Sequence, residues 1–503
     1  MLADFRASSR LTGKNAVDIA TSVTPVLEAV AGGCDDLADV RVVFDWIQYR
    51  ENFREIVDLR PVTQGQDLTP GQEVTSVPLE HPAPLGVSPY QAEVAVDIRR
   101  SGGVPDLKQL TTSRLRGGDD GRIVLENWGP GSESCIWRFN ALYWSALEAW
   151  EKASGHGYEQ ALPGGESDAR NRAAARDLVA ELFADWDPLA AAGALPAELY
   201  VAELGVGNGN QAKVFLDEFK DLDQVHGRGY YSRLHYLMCD YSQHVLDLAR
   251  ETVADHAARV SSIPLDARHP LTALGFLRGR VFLLYISNVY DNLPTDEVAQ
   301  LGGRTYQVHT RAYLPAAAAE QLAASVSAVP AELPTLVRQL LRLGPALLAD
   351  AAPAHFSDIE AAVQFWQQAW SMTRLEERYV PLTGLDLYPV APAVSGEMLR
   401  PLLESGADIR VQVSNGAVAS FVDSISLLHP LGKLVCHDLF VTDPRAYRSG
   451  FRGPGKYDGS VVNWVNGILL AHVGRRHGYD VQFEPFRHRN GGNIVTMTAR
   501  ARD

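Results

Sequence analysis

The sequence predicts an α/β fold built on a mostly parallel sheet, with an additional N-terminal α+β region and a helical insert. The first sign is Leu199–Gln211, where an apolar, β-branched run ends in an acid, breaks into glycines and opens an amphipathic helix. Further apolar runs at Leu234–Asp240 and Val281–Ile286 end beside polar residues, as strands covered on both faces do. The final runs, Tyr479–Pro485 and Asn493–Ala499, form a predicted antiparallel hairpin. These observations together predict a Rossmann-like sheet that ends in a hairpin.

The length of the chain predicts several domains. At 503 residues it exceeds what one hydrophobic core normally supports. We predict an N-terminal α+β region at 1–130, a helical lead-in at 131–195, a Rossmann-like core at 196–300 and 405–503, and a helical insert at 301–404.

Composition narrows the classes of partner. A net charge of -15 lacks the basic footprint that a nucleic-acid backbone requires, so no nucleic-acid partner is expected. No apolar run is long enough to span a membrane, and the N-terminus has no secretory h-region. Cys34, Cys135, Cys239 and Cys436 are widely spaced with no C-x-x-C pair, so neither a metal site nor a disulfide is expected. A reducing cytoplasm fits this cysteine usage best.

The first 195 residues show helical and alternating patterns in turn. Ala16–Ala31 has a helical pattern, whereas Val40–Trp46 and Ala92–Ile98 alternate as strands do. A Pro-rich stretch at 78–89 interrupts them. Ser134–Trp150 predicts an aromatic-rich helix that either covers a cofactor or packs in the core. A second helix is predicted at about 169–186.

The second half of the chain is predicted to leave the sheet and return to it. Helices are predicted at Pro315–Val326, at Leu333–Ala349, and from a capping box at Ser357 to Arg378. This insert is expected to close over a substrate or to form a homodimer surface. The sheet is predicted to resume with Ile409–Val413, the helix Ala417–Leu428, the strand Lys433–Asp438 and the helix Ser460–Arg476.

The glycines after the first core strand distinguish between two cofactors. A dinucleotide fingerprint needs a glycine at its sixth position, where this chain has Asn210. The pattern Glu203-Leu-Gly-Val-Gly-Asn-Gly209 instead resembles motif I of class I S-adenosylmethionine-dependent methyltransferases. The resemblance implies that Gly205, Gly207, Asn208 and Gly209 hold the methionyl end of this cofactor, with Glu203 facing its ammonium group. The alternative is a glycine-rich turn that binds no ligand.

Acids follow the next two strands. Asp240 ends the second strand, where a carboxylate can accept hydrogen bonds from both ribose hydroxyls, and Tyr241 is expected beside the adenine. The alternative role for Asp240 is a helix N-cap. Asp266, near the end of the third strand, is predicted to accept from the adenine amino group.

The acceptor site is predicted beyond the fourth and fifth strands, because ligands of open α/β sheets bind at the carboxyl edge. We expect one pocket to be lined by Asn288, Tyr290, Asp291, His437 and Asp438. Asn288 is also expected to touch the cofactor, and Asp291 or His437 is expected to act as general base or orienting group. The helical insert is expected to form the far wall.

The motifs together resemble the MidA-like family. The resemblance rests on the motif beginning at Glu203, on Cys239-Asp-Tyr-Ser242, on Asn288-Val-Tyr-Asp-Asn-Leu-Pro294, and on the blocks Val411–Ala417 and Tyr457–Asn463. It implies methylation that uses S-adenosylmethionine, and protein arginine is the acceptor class of the mitochondrial members, which assist complex I assembly. Val289 stands where that family has Glu, Gln412 replaces another acid, and His437-Asp438-Leu439 replaces D-Y-G.

We therefore predict a methyltransferase that acts on a protein or small-molecule acceptor. The runner-up is a non-catalytic assembly or binding protein with the same fold, which the loss of the family's Glu favours. A dehydrogenase ranks third because of Asn210.

Overall fold

The fold is described from a computed structural model. It covers residues 1–6, 19–34, 36–49, 51–63, 91–117, 121–155, 168–404, 408–448, 452–488 and 493–502. The Pro-rich stretch at 78–89 lies outside these ranges.

The N-terminal region forms a four-stranded sheet in the order β1-β2-β4-β3. Its elements are β1 (Leu2–Phe5), α1 (Ile19–Gly33), β2 (Val40–Asp45), β3 (Val57–Pro61), β4 (Ala92–Asp97), α2 (Ile98–Ser101) and α3 (Leu107–Leu115). The strands predicted at Val40–Trp46 and Ala92–Ile98 are confirmed as β2 and β4, which pair in parallel. Val26 and Val30 of α1 pack on Val42 and Phe44, because the apolar stripe of the helix meets the apolar face of the sheet.

The lead-in is mainly helical. It contains β5 (Ile123–Val124), β6 (Gly129–Pro130), α4 (Cys135–Ser145), α5 (Leu147–Ser154) and α6 (Asp168–Ala191). The aromatic residues of α4 and α5 pack in a core, and the ring centroids of Trp150 and Trp366 lie 4.7 Å apart. The core-packing interpretation of this segment therefore holds.

The predicted Rossmann-like core begins at Leu199. Strands and helices alternate as β7 (Leu199–Leu204), α7 (Asn210–His226), β8 (Leu234–Asp240), α8 (Gln243–Thr252), β9 (Val260–Pro264), α9 (Pro270–Leu274) and β10 (Val281–Ser287).

The insert differs from the prediction, because it contains strands as well as helices. In chain order it has β11 (Glu297–Leu301), β12 (Arg304–Leu314), α10 (Ala316–Ser325), α11 (Leu333–Ala351), α12 (Ile359–Met372), β13 (Arg374–Pro381), β14 (Pro389–Ala391), β15 (Val394–Ser395), α13 (Arg400–Leu403) and β16 (Ile409–Gln412). The helix expected to reach Arg378 ends at Met372, since Leu375, Glu377 and Tyr379 are buried alternately, as in a strand.

The strand β16, expected in the core sheet, belongs to a second sheet. It pairs antiparallel with β11, in the strand order β13-β12-β11-β16. The strands β5 and β6 also pair with β12.

The remaining elements complete the core. They are α14 (Asn415–Ile425), β17 (Leu428–Asp438), β18 (Phe440–Val441), β19 (Gly455–Tyr457), β20 (Ser460–Val462), β21 (Val465–Asn466), α15 (Gly467–Arg476), β22 (Tyr479–Pro485) and β23 (Val495–Ala501). The helix predicted from Ser460 begins only at Gly467, because the side chain of Asn466 accepts from the Leu469 amide as its N-cap.

The core sheet has seven strands in the order β22-β23-β17-β10-β7-β8-β9. All neighbours pair in parallel except β23, which runs antiparallel to β17 and β22. The predicted Rossmann-like sheet with a C-terminal antiparallel hairpin is therefore confirmed, while the domain boundaries stay predictions. Within the described ranges, no helix combines the length and the apolar character needed to cross a membrane.

Candidate functional site

The glycine turn lies between β7 and α7 at the carboxyl edge of the sheet. Gly205, Gly207 and Gly209 have φ angles of 74°, 56° and 83°, in the left-handed region that favours glycine. A Cβ on Gly205 would overlap the Val289 side chain, and one on Gly209 would lie 2.8 Å from the Ala249 Cα. Close packing thus requires glycine at both positions, whether or not a ligand binds.

Asn208 contributes to the start of α7. Its Oδ1 accepts from the Asn210 amide at 3.1 Å, and the N-cap residue, Gly209, has no side chain to perform this function. Its predicted contact with a cofactor stays a prediction.

Asp240 joins the glycine turn to the following helix. One carboxylate oxygen accepts from the Gly207 amide at 3.2 Å, and the other accepts from the Ser242 amide at 3.1 Å. The alternative that Asp240 is the N-cap is wrong, because the Ser242 side chain accepts from Val245 as the cap of α8. Burial raises the pKa of Asp240, and Tyr241 beside it is 49% exposed. An exposed ring next to a positioned carboxylate is the arrangement expected for binding a nucleoside.

Glu203 lies deeper than the sequence suggests. Its side chain is buried, and it accepts from the Tyr236 hydroxyl at 2.6 Å. Burial raises the pKa of Glu203 to about 8, and the nearby Asp240 raises it further. Pairing with an ammonium group therefore requires Glu203 to lose a proton near neutral pH.

Asp266 is engaged by its own neighbour. The Arg268 guanidinium contacts both carboxylate oxygens, with Nε at 2.9 Å and Nη2 at 2.5 Å from Oδ2. The predicted hydrogen bond to adenine would have to compete with this ion pair.

Asn288 follows β10 in a strained conformation. Its φ is 52°, its side chain is exposed, and its amide donates to the His437 carbonyl at 2.9 Å. A left-handed non-glycine residue at the carboxyl edge of a parallel sheet is a common mark of a functional site.

Asp438 and Asp291 form a buried carboxylate pair behind Asn288. One Asp438 oxygen accepts from the amides of Val289, Tyr290 and Asp291 at 3.2, 2.8 and 3.3 Å. Burial raises the pKa of Asp438 to about 6. Burial and the Asp438 charge raise the pKa of Asp291 well above its usual value. The hydrogen bonds to Asp438 therefore hold the backbone of the loop that follows β10 in place.

His437 and Tyr290 point away from this pair, which corrects the expectation that all five residues line one pocket. The His437 Nδ1 lies 3.0 Å from the Thr496 hydroxyl, and its ring centroid is 4.7 Å from that of Phe486 in the hairpin. Burial lowers the pKa of His437 to about 4, so its ring is neutral at pH 7. Tyr290 is a core residue with a buried side chain.

The far wall next to Asp291 also differs from the expectation. The Asn463 amide donates to the Asp291 carbonyl at 2.9 Å. The ring of Tyr49, from the N-terminal region, packs against the backbone of Gly455. Burial raises the pKa of Tyr49, and the charges of Asp291 and Asp438 raise it further, which puts Tyr49 near the pair. The N-terminal region and residues 452–464 therefore border the site where the helical insert was expected, and no sequence pattern pointed to Tyr49.

Metal and redox features are absent from this part of the fold. The described residues contain no group of three or more His, Cys, Asp or Glu side chains able to hold a metal ion. Among the described residues, no disulfide joins Cys34, Cys135, Cys239 or Cys436.

Comparison with solved structures finds distant likenesses. No protein-family model matches the chain, and no curated protein matches it. A COG1565 superfamily protein from Burkholderia thailandensis has 13% identity and a TM-score of 0.44, with 74% of this chain and 87% of that chain covered. A second superfamily member from the same organism, bound to S-adenosyl-homocysteine, has 14% identity and a TM-score of 0.42, with 74% and 88% covered. Magnesium protoporphyrin IX methyltransferase from Synechocystis PCC 6803, also bound to S-adenosyl-homocysteine, has 10% identity and a TM-score of 0.29, with 72% and 98% covered.

The superfamily of the first two structures includes the MidA-like family that the sequence motifs resemble. A likeness this distant adds no evidence about a cofactor or an acceptor, which depend on the residues of this chain.

Proposed function

We propose that this protein binds S-adenosylmethionine at the carboxyl edge of β7, β8 and β10 and transfers its methyl group to a protein or small-molecule acceptor. The observation that carries the proposal is the glycine turn held by Asp240, with the exposed Tyr241 on one side and the strained, exposed Asn288 on the other. When bound, the cofactor supplies an electrophilic methyl group on a sulfonium.

Each residue has a defined part in this proposal. The turn from Gly205 to Gly209 has glycines that let the methionyl end approach its backbone closely, Asp240 accepts from the ribose, and Tyr241 packs against the adenine. Asn288 orients the acceptor, because its exposed amide side chain can both donate and accept. Alignment of two reactants supplies much of the acceleration in such a reaction.

The acceptor differs in chemistry from the arginine of the family that the motifs resemble. A guanidinium is recognised by open carboxylates that accept two hydrogen bonds. Asp438 is fully buried and accepts from backbone amides, while Asp291 is buried and has its pKa raised well above the usual value by burial and by the Asp438 charge. These contacts support an acceptor other than arginine, with Asp291 in an orienting role.

A non-catalytic binding protein is the second candidate. The observation that favours it is Val289, an apolar side chain packed on Gly205 where the family has Glu. With this substitution, the loop after β10 offers no acid at that position.

Two measurements separate these candidates. Calorimetric titration with S-adenosyl-homocysteine is expected to give a Kd of about 1–10 μM, a common range for such ligands. Heat with NAD and none with S-adenosyl-homocysteine would overturn the cofactor assignment. For catalysis, Asn288→Ala should retain binding of S-adenosyl-homocysteine and lose its production from S-adenosylmethionine. Binding without turnover on any acceptor supports the second candidate.

A further inference from the structure

Two buried hydrogen-bond donors near Asp291 have no acceptor in the described part of the chain. The Tyr447 hydroxyl belongs to a side chain that is 2% exposed, and the Trp464 indole N–H to one that is 8% exposed. Neither atom makes a hydrogen bond among the described residues. Buried polar groups normally have partners, since leaving one unpaired costs about 1–3 kcal/mol.

Arg452 adds a positive charge beside these donors. Its guanidinium carbon lies 4.4 Å from the centroid of the Trp464 ring. Its Nε donates at 3.4 Å to the carbonyl of Ala446, on the turn that carries Tyr447. No ion pair joins it to a carboxylate of the described residues, and burial lowers its pKa, whereas a neighbouring acid would raise it.

This donor cluster, which we define as Arg452, Tyr447 and Trp464, adjoins the candidate site. The Trp464 amide donates at 2.9 Å to the Asn463 side chain, and the Asn463 amide donates to the Asp291 carbonyl. Tyr49 lies near both groups, because the charge of Arg452 lowers its pKa and the charge of Asp291 raises it.

The simplest alternative is that the Arg452 guanidinium stacks on the Trp464 ring only to stabilise the fold. Stacking accounts for Arg452 and Trp464 as a pair, since cation–π contacts are stabilising. It does not account for a buried hydroxyl and a buried indole N–H that lack acceptors beside the same cation. A guanidinium, a hydroxyl and an N–H are together complementary to an oxyanion.

We propose that the donor cluster is a carboxylate-binding subsite that anchors an anionic group of the methyl acceptor. The inference rests on the proposed function, because it assigns a substrate class to that site. A carboxylate bound here lies beside Asp291 and leaves the rest of the acceptor to reach Asn288. The carboxylate belongs to a free small molecule or to an acidic side chain of a protein.

The test uses the full chain saturated with S-adenosyl-homocysteine and three probes. Benzoate represents a free carboxylate, the peptide acetyl-Gly-Glu-Gly-amide represents a protein side chain, and benzamide is the neutral control. Calorimetry is expected to detect benzoate or the peptide, and to show benzamide at least about tenfold weaker, because a charge-assisted bond is lost. Tighter binding of benzoate assigns a small molecule, and tighter binding of the peptide assigns a protein.

Three variants locate the site. Arg452→Gln is expected to weaken carboxylate binding at least about tenfold, and Tyr447→Phe, which removes only a hydroxyl, about fivefold or more. Arg445→Gln is the matched control, since Arg445 is exposed in the same segment and pairs with Asp443. It should leave binding unchanged.

The outcomes separate this inference from the proposed function. Loss of S-adenosyl-homocysteine binding in the unmodified chain contradicts the proposed function. If that ligand binds but benzoate and the peptide do not bind better than benzamide, the subsite is wrong. The subsite is also wrong if Arg452→Gln and Tyr447→Phe fold normally and bind carboxylates as the unmodified chain does.

Discussion

Asp240 and the pair of Asp291 and Asp438 lie in the two halves of the carboxyl edge and differ in their exposure to solvent. In the cofactor half, at β7 and β8, Asp240 joins the glycine turn to a helix, and the Tyr241 ring beside it is 49% exposed. In the acceptor half, at β10 and β17, Asp291 and Asp438 are 6% and 0% exposed. Asp240 and Asp438 both accept from backbone amides, but Asp240 is partly exposed beside an exposed ring, whereas Asp438 is fully buried.

This difference distinguishes an acid that is available to bind a ligand from an acid that stabilises the protein's own loop. A buried carboxylate with three amide donors stabilises a loop, but it has little capacity left for a ligand. The Tyr447 hydroxyl and the Trp464 indole N–H are among the buried donors that have no acceptor in the described part of the chain. We therefore expect substitution of Asp438 to change mainly stability, and substitution of Asp240 to change mainly affinity for the cofactor.

The largest expected effect is on stability, from Asp438→Ala. The change leaves four backbone amides without their acceptor, so the free energy of unfolding should fall by about 3–5 kcal/mol, as when one partner of a buried charged contact is removed. Denaturant titration measures the loss. Asp291→Asn is the matched control: it replaces the acid by an uncharged near-isostere, at a position where burial raises the carboxyl pKa, and should cost less than about 1 kcal/mol. Equal losses would show that the two acids share the same role.

Gly205→Ala should be next in size. It combines a positive φ with a contact to Val289, so we expect a loss of about 2–3 kcal/mol in stability and of most S-adenosyl-homocysteine binding. Gly279→Ala is the matched control, because Gly279 has a φ of 68° and open space around its Cα. It should cost only about 1 kcal/mol. Equal losses of stability in the two variants would show that the contact with Val289 does not contribute to the effect.

Asp240→Ala tests the cofactor half directly. Loss of its hydrogen bonds to a ribose should weaken S-adenosyl-homocysteine binding by about 2 kcal/mol, measured by calorimetry. The change also removes the acceptor of the Gly207 amide, so the melting temperature is measured in parallel. Intact affinity with a lower melting temperature would assign Asp240 a purely structural role.

The smallest effect is a pH dependence that depends on Glu203. Since the pKa of Glu203 is raised to about 8, the acid is protonated at pH 7 and must release its proton to pair with an ammonium group. Affinity for S-adenosyl-homocysteine should therefore rise with pH between about 6 and about 8, by up to about tenfold in total, as for a ligand that lowers the pKa by about one unit. Glu203→Gln should flatten this profile. A flat profile in the unmodified chain would remove Glu203 from the cofactor site.

The secondary structure of the cofactor half could be predicted from the sequence, because each pattern that indicates it lies within a short segment of the chain. Continuous apolar runs ending in Glu203 and Asp240, with glycines at fixed offsets, specify strand, turn and helix within about 40 residues of chain. The hairpin of β22 and β23 is equally local. Here the predicted elements and the observed ones agree closely.

The arrangement of the acceptor half became known only from the tertiary structure, because its contacts join segments that are distant in sequence. The strand that begins at Arg374 was predicted as a continuation of the preceding helix. The pairing of β16 with β11 depends on a partner more than 100 positions earlier in the chain. Likewise Tyr49 reaches Gly455 across nearly the whole sequence. The raised pKa of Asp291 depends on burial beside Asp438, and burial is a property of the assembled fold rather than of either residue's neighbours in sequence.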